Sequence, residues 1–185
     1  GGVRGRNFSI KRNSSYSIVK FFLWERKFLF LFYKNTACGM DKGVIRMYIL
    51  RTEHEFDAAH FLKGYEGKCS NIHGHRWRVV VSVGDDKLQS EGNTRGMVVD
   101  FSQLKDDVKR MVNAFDHKLI IEDDSLKLST VNALLQEDFD IISLPMRPTA
   151  ENFAKYFYDS MKGKGYHVVE VLVYETPNNC AAYRE

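Results

Sequence analysis

The sequence predicts an α+β domain, an antiparallel β-sheet with helices packed on one face. Three observations carry this. Residues 48–61 and 73–83 are β-branched, aromatic or alternating, as strands are. Two later stretches place apolar residues at helical spacing. A last stretch, Val168 to Glu175, alternates again. Strands, then helices, then strands is the order of a segregated α+β fold.

The first two strands are joined through a loop holding Gly64, Gly67 and Cys69, which suits an antiparallel pair. A glycine-containing stretch from Gly84 to Gly96 leads to a short apolar run, Met97 to Val99. A helix follows, with Phe101, Leu104, Val108, Met111, Val112 and Phe115 on one face and Ser102 as its cap. From Asp116 and His117 to about Leu144 the chain is acidic and weakly periodic, which predicts a surface excursion with room for a short helix. Pro148 and Thr149 open a second helix with Thr149 as N-cap and an apolar stripe of Phe153, Tyr156, Phe157 and Met161. Gly163 and Gly165 end it. Pro177 to Asn179 reads as a turn and Ala181 to Tyr183 as a short last strand.

With 44% hydrophobic and 28% charged residues, the 185-residue chain has the composition of a globular protein with a sizeable core. The formal charge of +3 misleads, because residues 1–39 hold eight Lys or Arg against one acid, Glu25. Removing that +7 leaves about −4 for residues 40–185, so the body has no basic field for nucleic acid. Three cysteines, Cys38, Cys69 and Cys180, are too few and too odd for a disulfide framework and point to a reducing, cytoplasmic setting.

Residues 1–39 do not share the pattern of the rest and read as an N-terminal extension, with the domain spanning 40–185. The alternative is an amphipathic surface or partner anchor built from its Lys and aromatic residues. A membrane span is excluded, because the longest uninterrupted apolar run there, Phe28 to Tyr33, is six residues where about twenty are needed.

His73, Gly74 and His75 form a His-x-His pair, and residues two apart on a strand point to one face. His60 ends the preceding strand, so an antiparallel neighbour brings it beside the pair. Three neutral imidazoles are a zinc ligand set that leaves a fourth position open, as catalytic sites do; the alternative from the residues alone is ordinary surface or core histidines. His54 and His167 have no partner at ligand spacing and read as ordinary histidines.

Phe56-Asp57-Ala58-Ala59-His60 followed by Cys69-Ser70-Asn71-Ile72-His73-Gly74-His75 resembles the signature of the 6-pyruvoyltetrahydropterin synthase family. Four further stretches match in order: Gly96 to Phe101, Asp116-His117, Pro148 to Asn152, and Glu175-Thr176. The resemblance covers about residues 48–184. Three residues separate Cys69 from His73, which is similar to the bacterial 6-carboxytetrahydropterin synthase branch, and the presence of Cys69 disfavours the branch that carries glutamate there.

The resemblance implies the tunnelling fold, in which sheets from several subunits join into a barrel, here a homohexamer made of two trimers. It implies a Zn2+-dependent carbon-carbon lyase acting on 7,8-dihydroneopterin triphosphate and releasing acetaldehyde and triphosphate, on the way to 7-deazaguanine products such as queuosine. The alternatives are triphosphate elimination without two-carbon loss, giving the 6-pyruvoyl product, and a non-catalytic pterin-binding oligomer. Carried over by residue, His60, His73 and His75 hold the metal, Cys69 is the general base, and Asp116 with His117 is a proton relay that a neighbouring subunit can supply. Glu175 anchors the pterin ring, with Thr149 and Glu151 lining the pocket. A thiol is mostly protonated at neutral pH, so Cys69 needs cationic help from Lys68 or a histidine. Lys63 and Lys68 are candidates for the triphosphate.

Overall fold

A computed structural model describes residues 47–185. The expectation that residues 1–39 stand outside the domain lies beyond the described residues.

The chain runs β1 (Tyr48–His60), a single 3₁₀ turn (Lys68–Ser70), β2 (His73–Asp85), α1 (Phe101–Asn113), β3 (Lys118–Glu122), α2 (Leu128–Gln136), β4 (Ile141–Leu144), α3 (Ala150–Gly163), β5 (Val168–Thr176) and β6 (Asn179–Tyr183). One six-stranded sheet has the order β4-β3-β1-β2-β5-β6, curled into a half-barrel. The α+β class stands. The antiparallel pattern holds across β1, β2, β5 and β6. At the other edge β3 lies parallel to β1, and β4 parallel to β3, so the sheet is mixed rather than antiparallel throughout.

The correction falls on the acidic stretch before Leu144, which is a strand-helix-strand crossover. Parallel neighbours need such a connection, and α2 supplies it. No residue of α2 is buried, and its exposure explains why its periodicity was too weak to predict more than a short helix.

Alternation along β1 and β2 turns Phe56, Ala58, His60, Trp77, Val79 and Val81 to one buried face. Helices α1 and α3 cover that face with Leu104, Val108, Val112, Phe153, Phe157 and Met161. Aromatic rings knit the layers: Phe56 stacks on Trp77 at 6.0 Å, and Trp77 meets Phe153 edge-on at 5.1 Å. The opposite face of β1 and β2 is charged, with Arg76 donating to Asp57 at 2.8 Å and Arg78 to Glu53 at 3.0 Å.

The helix ends correct the sequence reading in detail. Asp100, not Ser102, caps α1: its Oδ1 accepts from the Ser102 and Gln103 amides at 2.7 and 3.4 Å. Phe101 and Tyr156, expected in the apolar stripes, are exposed. Thr149 caps α3 as expected, its Oγ1 accepting from the Asn152 amide at 3.4 Å.

Candidate functional site

In the β1–β2 register His60 faces His73 and Ala58 faces His75. Directly opposed residues of an antiparallel pair share a face, so the three imidazoles converge. Their ring centroids lie 4.5 Å apart for His60 and His73, 5.0 Å for His73 and His75, and 5.3 Å for His60 and His75. Trp77 continues the row and meets His60 and His75 edge-on at 5.0 and 5.5 Å. A rigid indole thus braces two of the three rings.

Glu175 arrives from β5. The β5–β6 register shifts between Tyr174 and Thr176, and a bulge of this kind re-aims a side chain. Its Oε1 lies 3.4 Å from Nε2 of both His60 and His75. One ligand atom from each of His60, His73, His75 and Glu175 falls within 4.8 Å of the others. The sequence reading grouped three of these residues and kept Glu175 for the pterin ring.

Backbone carbonyls set the protonation of the rings. Nδ1 of His60 donates to the Pro148 carbonyl at 2.7 Å, and Nδ1 of His73 to the Asn71 carbonyl at 2.8 Å. A carbonyl can only accept, so each neutral ring carries its proton on Nδ1 and turns the Nε2 lone pair inward. Burial lowers the pKa of His60 from 6.5 to about 4, against the opposing pull of the Pro148 carbonyl and with help from the neighbouring His73 and His75. Burial likewise lowers His75, although the Glu175 carboxylate works the other way. At neutral pH both rings are uncharged, so their contacts with Glu175 are not ion pairs despite the short separation. Nε2 of His60 and of His75 is buried without a hydrogen-bond partner. With its proton held on Nδ1 by Pro148, His60 Nε2 is a buried lone pair without a donor, which a cation satisfies, and nitrogen donors with one carboxylate suit zinc. The donor set fits the metal.

Beside the cluster is a cavity of about 280 Å³ lined by His60, Cys69, Thr149, Glu151 and Glu175, with Tyr65, Asn179 and Cys180. Cys69 sits in the 3₁₀ turn, fastened by the Leu62 amide donating to its carbonyl at 2.8 Å. Five predicted site residues from four segments of the chain therefore meet at one opening.

Asp116 and His117 stand elsewhere. His117 Nδ1 is 3.0 Å from Asp116 Oδ2, and Asp116 Oδ1 accepts from the Asp57 amide at 2.9 Å. That amide hydrogen bond, followed by His117, holds the Asp116 carboxyl below its ordinary pKa. His117 takes a left-handed φ of 56° while its amide donates to the Asp57 carbonyl at 2.6 Å. It lines a different cavity, of about 540 Å³, with Asp57, Gly74, His75, Arg76 and Phe139, so that cavity borders the imidazole cluster from the His75 side. Cys69 does not line that cavity, so the three candidate catalytic residues are divided within the chain.

Other expectations resolve simply. His54 bonds Asn113 Oδ1 at 2.8 Å, away from the cluster. Neither Lys63 nor Lys68 lines the smaller cavity. The carbonyls of Asn71 and Pro148 were invisible to sequence reasoning, because side-chain pattern says nothing about backbone acceptors. Trp77 had a signal, its place two residues beyond His75 in the same alternating row.

A model of the 6-pyruvoyl tetrahydropterin synthase family matches residues 49–185. The chain belongs to this family. A 6-carboxy-5,6,7,8-tetrahydropterin synthase of Haemophilus influenzae is 33% identical over 142 residues, covering 75% of this chain and all of that protein. One from Synechocystis is 36% identical over 141 residues, covering 74% and 93%. Among solved structures, an uncharacterized protein of Wolinella succinogenes superposes with a TM-score of 0.63 at 21% identity, covering 76% of this chain and 99% of that one. A 6-pyruvoyltetrahydropterin synthase of Plasmodium vivax gives 0.56 at 20% identity, covering 76% and 98%. These structures establish the synthase family's fold for this chain, and the α+β expectation is borne out. Among the described residues of this family member no helix is long and apolar enough to cross a membrane.

Proposed function

We propose that this protein is a zinc-dependent cytoplasmic lyase that converts 7,8-dihydroneopterin triphosphate to 6-carboxy-5,6,7,8-tetrahydropterin, releasing acetaldehyde and triphosphate, in the supply of 7-deazaguanine precursors of queuosine. What supports it is the convergence of His60, His73 and His75, two of them with buried unpartnered nitrogens, beside a cavity that His60 lines together with Cys69 and Glu175. The carboxy product is favoured over the pyruvoyl one by the names of the relatives at 33–36% identity and by the three-residue gap between Cys69 and His73.

His60, His73 and His75 would hold the zinc, which when bound supplies Lewis-acid stabilisation of charge developing on substrate oxygens. Cys69, at the cavity wall, takes a proton from the substrate side chain as general base. Glu175 accepts hydrogen bonds from the amino and N–H groups of the pterin, with Thr149 and Glu151 beside it. Asp116 orients His117, and His117 passes protons. Because His117 opens into a cavity without Cys69, the relay in a given site comes from a neighbouring subunit, which accords with a homohexamer of two trimers.

Product analysis tests this. Metal-loaded protein incubated with dihydroneopterin triphosphate should yield the 6-carboxy product by mass and an equal amount of acetaldehyde. The 6-pyruvoyl mass without acetaldehyde would reassign the reaction, and bound pterin without turnover would make the protein a binding oligomer.

A further inference from the structure

We propose that Glu175 is a fourth protein ligand that closes the metal's coordination sphere at rest and leaves it when the pterin arrives. The inference rests on the metal reading above and adds a second role for the carboxylate.

The first support is distance. In a tetrahedral zinc site with bonds of about 2.0 to 2.1 Å, ligand atoms are separated by about 3.3 to 3.4 Å. Glu175 Oε1 is 3.4 Å from Nε2 of His60 and 3.4 Å from Nε2 of His75. The carboxylate oxygen is therefore spaced from both nitrogens as a ligand would be.

The second is the absence of a proton to explain that spacing. The Pro148 carbonyl fixes the His60 proton on Nδ1, so Nε2 and Oε1 face each other as two acceptors. Two lone pairs held together repel, and at a buried nitrogen such as His60 Nε2 a cation between them relieves this. A direct imidazole-carboxylate hydrogen bond would have drawn the pair to about 2.7 to 2.9 Å, and neither contact is that short.

The third is freedom to leave. Glu175 sits at the register shift between β5 and β6, its side chain is 32% exposed, and it lines the cavity proposed for the pterin. Turning from the metal to the ring's donors exchanges one charge-assisted partner for another. Small ligands and water are thereby kept off the metal until substrate is present.

Zinc affinity, measured on the full-length protein by chelator competition, and the visible spectrum of its cobalt(II) form test this without turnover. Glu175→Gln, which keeps the size, and Glu175→Asp, which keeps the charge but withdraws the oxygen, should both weaken zinc at least the roughly 10-fold that losing an outer-shell partner costs. Sodium azide should perturb the cobalt spectrum of both variants and leave the wild type unchanged. Neopterin should shift the wild-type spectrum as the carboxylate departs. Wild-type affinity in Glu175→Asp would reduce Glu175 to a neighbouring charge, and azide binding to the resting wild type, or a spectrum indifferent to saturating neopterin, would overturn the proposal. A wild type that holds no metal would sink both this inference and the function beneath it. Acetaldehyde release by the wild type, together with unaltered metal affinity in both variants, would sink this inference alone.

Discussion

Two carbonyl groups decide which nitrogen each ring offers: Pro148 and Asn71 hold the protons of His60 and His73 on Nδ1 and free Nε2 for a metal. His73→Ala removes one inward lone pair and breaks the group of converging ligands, so zinc and turnover should vanish together, read by elemental analysis and the product assay. Full zinc occupancy in that variant would contradict the ligand assignment. Cys69 is not among the four side chains whose donor atoms converge, so Cys69→Ala should keep zinc and ligand binding while turnover falls about 10² to 10⁴-fold, the scale of a lost general base. Unchanged turnover removes Cys69 from the chemistry. The His pair was legible because two residues along a strand is one face, and His60 because a neighbouring strand had to run back past it. That Glu175 lies beside the three imidazoles was not legible, since it depends on a register shift that leaves no mark in side-chain pattern.

The secondary-structure elements were legible where they bury a face and obscure where they do not. Helix α3 showed its stripe because Phe153, Phe157 and Met161 all enter the core, whereas α2 buries nothing and its flanking strands β3 and β4 are only five and four residues long. Phe153 is wholly buried and edge-on to Trp77, the indole that braces His60 and His75. Phe153→Ala should therefore cost about 3 to 5 kcal/mol by denaturant unfolding, and weaken metal retention as Trp77 loosens. A second tie joins α1 to the chain between α3 and β5: Asp107 accepts from Tyr166 and Arg110 at 2.7 Å and from Lys164 at 3.3 Å. The Tyr166 hydrogen bond, then those of Arg110 and Lys164, lower its pKa below the ordinary 3.8. A carboxyl with a depressed folded pKa stabilises the fold above its unfolded value and loses that contribution as pH falls through the folded one. Asp107→Asn should be about 1 to 3 kcal/mol less stable at neutral pH, and the gap should close only below about pH 4. A gap that persists unchanged in acid would show that charge is not its source.

For the molecule as a whole, one chain gathers His60, Cys69 and Glu175 around one cavity and presents His117, paired with Asp116, at another. The sequence made both groups visible as separate motifs but carried no information on their distance, because spatial separation within a subunit and proximity between subunits leave the same local pattern. If a complete site takes Cys69 from one subunit and His117 from its neighbour, two inactive proteins can repair each other. In a mixed assembly of Cys69→Ala and His117→Ala chains, the wild-type cysteine comes only from the second variant and the wild-type histidine only from the first. Random assembly from equal amounts then leaves about one quarter of the sites with both groups, since each symmetric interface draws its two halves independently. Unfolding and refolding the two variants together should restore about that fraction of wild-type turnover, while each refolded alone stays inactive. A site completed within one chain gains nothing from mixing, because no chain in the mixture carries both residues. Flat activity across all mixing ratios, with mixed assembly verified by native mass spectrometry, would place the relay and the base in the same subunit and require a rearrangement that brings the two cavities together.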